Sequence, residues 1–151
     1  MRKILMPAVV LLAACGGSSS SVDTGTASRI SSPQTASAFM RAAADSNLAR
    51  MAQLWGTSRG PASETRPDNY EKRLVVLQAY LRGDSTRVVS DMPVQGDANH
   101  RRLVIALYRG TCVKQIPVTT VRSKGAWIVE AVDISAAGNP ARPCEPGTGR
   151  L

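Results

Sequence analysis

The sequence predicts an α+β fold, with N-terminal helices packed on a curved four-stranded antiparallel sheet. Three observations carry that prediction. Apolar residues recur at helical spacing as far as Leu81; beyond Asp84 the period shortens from about 3.6 to about 2 as Val, Ile and Thr become frequent; and two tight glycine-containing connections separate the last three apolar runs. At 151 residues, 43% hydrophobic and 20% charged, the chain holds one folded domain with extra segments at its ends, which excludes a two-domain enzyme and wholesale disorder. Two Trp, three Tyr and one Phe restrict it to an aliphatic core. The 19 Lys and Arg against 11 Asp and Glu give a net charge of +8, which suits an anionic surface or an acidic partner without specifying a fold.

The first element is an address. Met1-Arg2-Lys3 precedes the apolar run Ile4 to Leu12 and the small residues Ala13 and Ala14, a pattern of a secretory signal too short to span a bilayer permanently. Leu12-Ala13-Ala14-Cys15 resembles the lipobox of bacterial lipoproteins. The resemblance implies that the signal peptide 1–14 is cleaved before Cys15, whose sulfur, the one side-chain nucleophile there able to form a thioether, carries a diacylglyceryl group. At about 0.8 kcal/mol per buried methylene, several acyl chains would hold the chain on a lipid bilayer permanently. Gly16 stands where an Asp favours inner-membrane retention in that family, so the resemblance implies a cell-envelope location facing the periplasm, at the outer membrane. Residues 15–31 form the lipidated Cys and a flexible Gly/Ser linker, spanning about 20 Å as a random coil.

The domain proper is expected over 32–135. Ser32-Pro33 is an N-cap followed by proline at the first helical position, and Ala36, Phe39, Met40 and Ala43 line one face. Asp45-Ser46 starts a second helix, with Leu48, Met51, Ala52 and Trp55 on one side before Gly56. Thr57 to Asp68, with Gly60, Pro61 and Pro67, reads as a loop, and Tyr70, Leu74, Leu77 and Leu81 form one face of a third helix closed by Gly83. Strands follow at Thr86 to Met92, Arg101 to Arg109, Cys112 to Arg122 and Ala126 to Ile134, with Leu103, Ile105 and Leu107 as the inward set on the second. Arg109-Gly110-Thr111 and Ser123-Lys124-Gly125 force the last three into antiparallel neighbours. Residues 136–151 read as a Pro/Gly-rich C-terminal tail.

This order of elements resembles the nuclear-transport-factor-2-like superfamily, with a cystatin-like or other helix-on-sheet fold as the alternative. The residues that carry the likeness are Ala38-Phe39-Met40, the segment Asp45 to Gly56, Lys124 to Val129 and Val132-Asp133-Ile134. The resemblance implies a cone-shaped pocket between helices and sheet, with Phe39, Tyr70 and Trp127 as candidate lining residues, and a homodimer through the open sheet face. Enzymes of the superfamily place an Asp, His or Tyr set in that pocket for proton transfer near neutral pH. No such set is legible, so no catalytic residue is assigned and the chain is read as no enzyme. His100, beside Arg101 and Arg102, reads as a solvated residue at a loop-to-strand boundary; Asp91, Glu130 and Asp133 read as surface ion-pair partners of arginines, and Tyr80 and Tyr108 as packing rings.

With Cys15 assigned to lipid by the lipobox resemblance, Cys112 and Cys144 remain to pair in an oxidising compartment, worth ~3 to 4 kcal/mol in the chain-entropy account. No CxxC or HxxxH spacing supports a metal, and no cofactor is implied. Arg82, Arg87, Arg101, Arg102, Arg109, Lys114, Arg122 and Lys124 concentrate positive charge in the sheet half, suited to anionic headgroups or an acidic partner, or else to an ordinary solvated edge. Nucleic acid is excluded by location and by the lack of interleaved stacking aromatics. The expectation is a lipid-anchored, noncatalytic envelope domain that binds a partner protein, as an accessory subunit of a membrane assembly. The alternative is a small-molecule carrier or weak enzyme using an apolar cone-shaped pocket.

Overall fold

In the computed structural model, which describes residues 30–142 and 144, helix α1 spans Ser32–Ala44. The signal peptide 1–14, Cys15, the linker as far as residue 29 and the tail over 145–151 lie outside the described residues. The cap of α1 is Ser31, one residue before the predicted one. Its backbone N–H donates to the Gln34 side-chain oxygen at 2.9 Å and its hydroxyl to the same atom at 3.1 Å. Ser32 is thereby free to turn inward, and its hydroxyl lies 2.7 Å from that of Thr120, both buried against the sheet. Ala36, Phe39, Met40 and Ala43 form the predicted apolar face and are fully buried.

Helix α2, Leu48–Leu54, starts on Asn47 instead of Asp45 or Ser46: the Asn47 Oδ1 accepts the Arg50 N–H at 2.9 Å. Asp45 instead ends α1, its N–H donating to Arg41 O at 2.9 Å. The segment expected as a loop is structured. β1 (Gly56–Thr57) and β2 (Gly60–Pro61) pair antiparallel, and the short helix α3 covers Ala62–Thr65. Trp55 bridges Val129 in parallel, so this small hairpin is fastened to the edge of the main sheet. Only glycine fits at position 56. A Cβ there would sit 2.2 Å from Gly60 O and 2.8 Å from the Pro61 Cα. Gly56→Ala is accordingly expected to lose about 1 to 3 kcal/mol in urea unfolding, as overpacking against rigid backbone does.

Helix α4, Tyr70–Leu81, buries Leu74, Leu77 and Leu81 as predicted. The main sheet runs β3 (Ser85–Val94), β4 (Asp97–Arg109), β5 (Cys112–Ser123) and β6 (Ala126–Val132), all antiparallel and in sequence order. Leu103, Ile105 and Leu107 are each 1% exposed and face Ile116 and Val118 of β5 in the core. β3 and β4 are longer than predicted because Gln95-Gly96 closes a hairpin between Val94 and Asp97, with Gly96 at φ 77°. β6 stops two residues early. Asp133 accepts the Ser135 N–H at 3.0 Å and so caps a 3-10 turn over Ile134–Ala137. Ala137, expected at the start of a tail, is fully buried in the core.

Two side-chain ties close the fold. The Arg109 guanidinium donates from Nε to Arg82 O at 2.7 Å, from Nη1 to Ala137 O at 2.9 Å and from Nη2 to Tyr80 O. It thus joins the end of α4 to the 3-10 turn, and burial pulls its pKa below the ordinary arginine value. Cys112 and Cys144 stand at disulfide distance, with Cα atoms 5.4 Å apart. Among the described residues the architecture is therefore four α-helices with a four-stranded antiparallel sheet and a two-stranded one.

Candidate functional site

Between α4 and the last residues of β6, beyond its bridge to Trp55, lies a groove of about 410 Å³. Its walls are apolar, from Trp55, Val76, Leu77, Val132 and Ile134, and Lys72, Arg73 and Glu130 stand at its rim. The helix sets this up by its period. Leu74, Leu77 and Leu81 take the core side, which leaves Val75 and Val76 on the outside at 50% and 46% exposure. Trp55, the residue that ends α2, lies under the Arg73 guanidinium at 4.7 Å from its ring centre. A second hollow of about 350 Å³, lined by Gly56, Arg59 and Pro67, adjoins the groove and shares Trp55, Arg73 and Glu130 with it.

Glu130 reaches this place through a bulge. The register of β5 against β6 shifts between Thr119 and Thr120, which pair with Ala131 and Val129, so Glu130 is the extra residue and is aimed out of the ladder. Its Oε2 lies 3.0 Å from His100 Nε2, and the other ring nitrogen, Nδ1, lies 2.6 Å from Asp97 Oδ2. The Asn99 N–H, at 2.8 Å, and the His100 ring hold the Asp97 carboxyl below its usual pKa. His100 is thus tied between carboxylates on two strands and is not the lone solvated residue expected from its neighbours.

The candidate residues disperse. Phe39 is fully buried as core and cannot line an open pocket, which corrects its assignment. Tyr70 sits half-buried at the start of α4, its hydroxyl 3.2 Å from Glu71 Oε1. Trp127 lies on β6 with the Arg122 guanidinium 4.9 Å from its ring centre, and it lines a different groove. The three therefore share no pocket. Trp55, read only as a helix-face residue, is the aromatic of the α4 groove. Trp55 is itself only 5% exposed, and its place in the groove wall follows from its backbone bridge to Val129, a tertiary contact that no local pattern signals.

The charged residues also sort differently from expectation. Asp91 does pair with an arginine, Arg101, at 2.7 Å, which raises the pKa of that guanidinium, but Glu130 pairs with His100 and Asp133 is a helix cap. Arg109 is spent on backbone carbonyls and does not belong to a basic face. Lys124 carries an exposed ion pair with Glu64 at 3.3 Å. Among the described residues no set of three His, Cys, Asp or Glu is placed to hold a metal ion, and no helix is long and apolar enough to cross a membrane. Comparison with protein families, curated proteins and solved structures finds no match to this chain.

Proposed function

We propose that this chain is a noncatalytic, lipid-anchored domain of the bacterial cell envelope that docks a partner protein in the groove between α4 and β6. The observation that carries the reading is the groove itself: a nearly buried tryptophan and aliphatic walls that include the exposed Val76, with Lys72, Arg73 and Glu130 beside them. An apolar groove of this kind can take up an apolar anchor side chain of a partner, the arrangement that concentrates binding energy at protein interfaces. The noncatalytic part rests on His100, whose two ring nitrogens both face carboxylates and leave neither to activate a nucleophile. The order of helices and sheet supports a nuclear-transport-factor-2-like domain, Leu12 to Cys15 supports acylation at Cys15 and periplasmic exposure, and Gly16 supports outer-membrane placement.

Photo-cross-linking in native membranes tests it. A photoreactive residue at Val76 is expected to give one discrete protein adduct, whereas the same group at Val113, equally exposed on β5, gives none. Intact mass of the recovered chain is expected to begin at Cys15 with a diacylglyceryl group. Adducts from neither position, or identical ones from both, would overturn the docking assignment, and an unmodified Cys15 would overturn the anchor.

A further inference from the structure

The chain enters the domain at one end of the sheet. Ile30, the first described residue, is 51% exposed and stands just ahead of the Ser31 cap of α1, so the segment read above as the linker to Cys15 joins the domain here. The β5–β6 hairpin overhangs that point. The Thr120 hydroxyl of β5 meets Ser32 in the first turn of α1, and the next residue on the same face, Arg122, lies beyond the helix start and is exposed. Its cross-strand partner is the half-buried Trp127, with the guanidinium 4.9 Å from the indole centre. Trp127 in turn lines a hollow together with Ile30, with Arg50 and Gln53 of α2, and with Lys124 of the hairpin turn.

Charge at this end is one-sided. Arg50, Arg122 and Lys124 are all exposed, and the one acid lining the hollow, Glu64, is already 3.3 Å from the Lys124 Nζ. Arg50 donates to the neutral Gln53 side chain at 2.9 Å and Arg122 stacks on Trp127, so neither meets a carboxylate among the described residues. Unpaired guanidinium groups, an indole and an exposed isoleucine are the groups that a bilayer surface takes up, the cations among anionic headgroups and the indole at headgroup level. From this placement we infer that the end of the domain formed by Ile30, Arg50, Arg122, Lys124 and Trp127 rests on the anionic phospholipid surface to which the chain is anchored. The inference rests on the anchoring proposed above and not on partner docking. A linker spanning about 20 Å as a random coil keeps these residues within reach of the headgroups. The docking groove, with Val132, lies toward the other end of β6, about 15 Å along the strand from Trp127, and so stays clear of the lipid.

Fluorine NMR of the full-length chain tests this, because 5-fluorotryptophan labels only Trp55 and Trp127. The chain is reconstituted into bicelles of phosphatidylcholine, with or without phosphatidylglycerol, doped with a headgroup-spin-labelled lipid, and Trp127→Phe assigns the two lines. The Trp127 line is expected to broaden when phosphatidylglycerol is present and not in phosphatidylcholine alone, while the Trp55 line stays sharp in both. Each cation held at an anionic surface changes the contact equilibrium about fivefold. A chain with Arg50→Gln, Arg122→Gln and Lys124→Gln is therefore expected to lose the broadening, whereas Arg82→Gln, Arg87→Gln and Arg102→Gln together, which remove the same charge elsewhere, leave it. All six positions are exposed, so both chains fold. Broadening of both lines alike, broadening that ignores phosphatidylglycerol, or broadening retained without Arg50, Arg122 and Lys124 would each overturn the assignment. So would two sharp lines throughout, the result expected if these cations serve an acidic protein. Intact mass at Cys15 reports the anchor separately, so its failure and the failure of this contact are told apart.

Discussion

Arg109→Met is expected to remove about 3 kcal/mol of stability, read as a lower urea midpoint at unchanged m-value. The side chain donates to the carbonyls of Tyr80, Arg82 and Ala137. Tyr80 and Arg82 belong to the end of α4, where carbonyls have no helical partner and a cation is favoured by the helix dipole. Methionine preserves the aliphatic stem and its packing but supplies no donor, so the three carbonyls must find water or go unpaired. Each bond to a charged group is worth about 1.5 to 3 kcal/mol in isolation, and the sum is reduced because the site is half exposed and water re-enters. Arg109→Lys, with the charge but without the fork, is expected to recover less than half of the loss. Full stability in the methionine variant would show that the clasp is incidental.

Reduction of the Cys112–Cys144 pair is expected to lower stability by ~3 to 4 kcal/mol. The cysteines are 32 residues apart in sequence and their Cα atoms 5.4 Å apart, so a covalent link needs no backbone movement and removes a large set of open conformations from the unfolded chain. In the periplasmic setting proposed above, the pair is expected to be oxidised. Thiol labelling of the denatured, unreduced chain is expected to leave both cysteines unmodified, and dithiothreitol to shift the urea midpoint of the parent but not of a Cys112→Ser, Cys144→Ser chain. Two freely labelled thiols in the protein isolated from native cells would refute the link.

The helices and most strands were legible because burial writes a period into sequence. Leu74, Leu77 and Leu81, or Leu103, Ile105 and Leu107, can be read off spacing alone, and the structure places them all in the core. Helix starts differ by one or two residues from those the sequence predicts because Ser31 and Ser32, or Asp45, Ser46 and Asn47, offer chemically equivalent caps, and only tertiary contacts such as Ser32 with Thr120 decide among them. The hairpin after Gly56 was hidden because Gly and Pro signal a turn whether or not two short strands flank it. The His100–Glu130 contact was beyond reach for a different reason. It joins strands that are not neighbours, through a bulge whose register no local pattern encodes.

The sheet order β3-β4-β5-β6 has a consequence for biogenesis. Every strand pairs with the segment that immediately precedes or follows it, so each addition closes only a short loop, and assembly can advance turn by turn without waiting for a distant stretch of chain. Under the export proposed above, a chain threaded from its N-terminus would meet that requirement directly: the helices come first in sequence and offer an apolar platform, and the hairpins at Gln95-Gly96, Gly110 and Lys124-Gly125 follow in order.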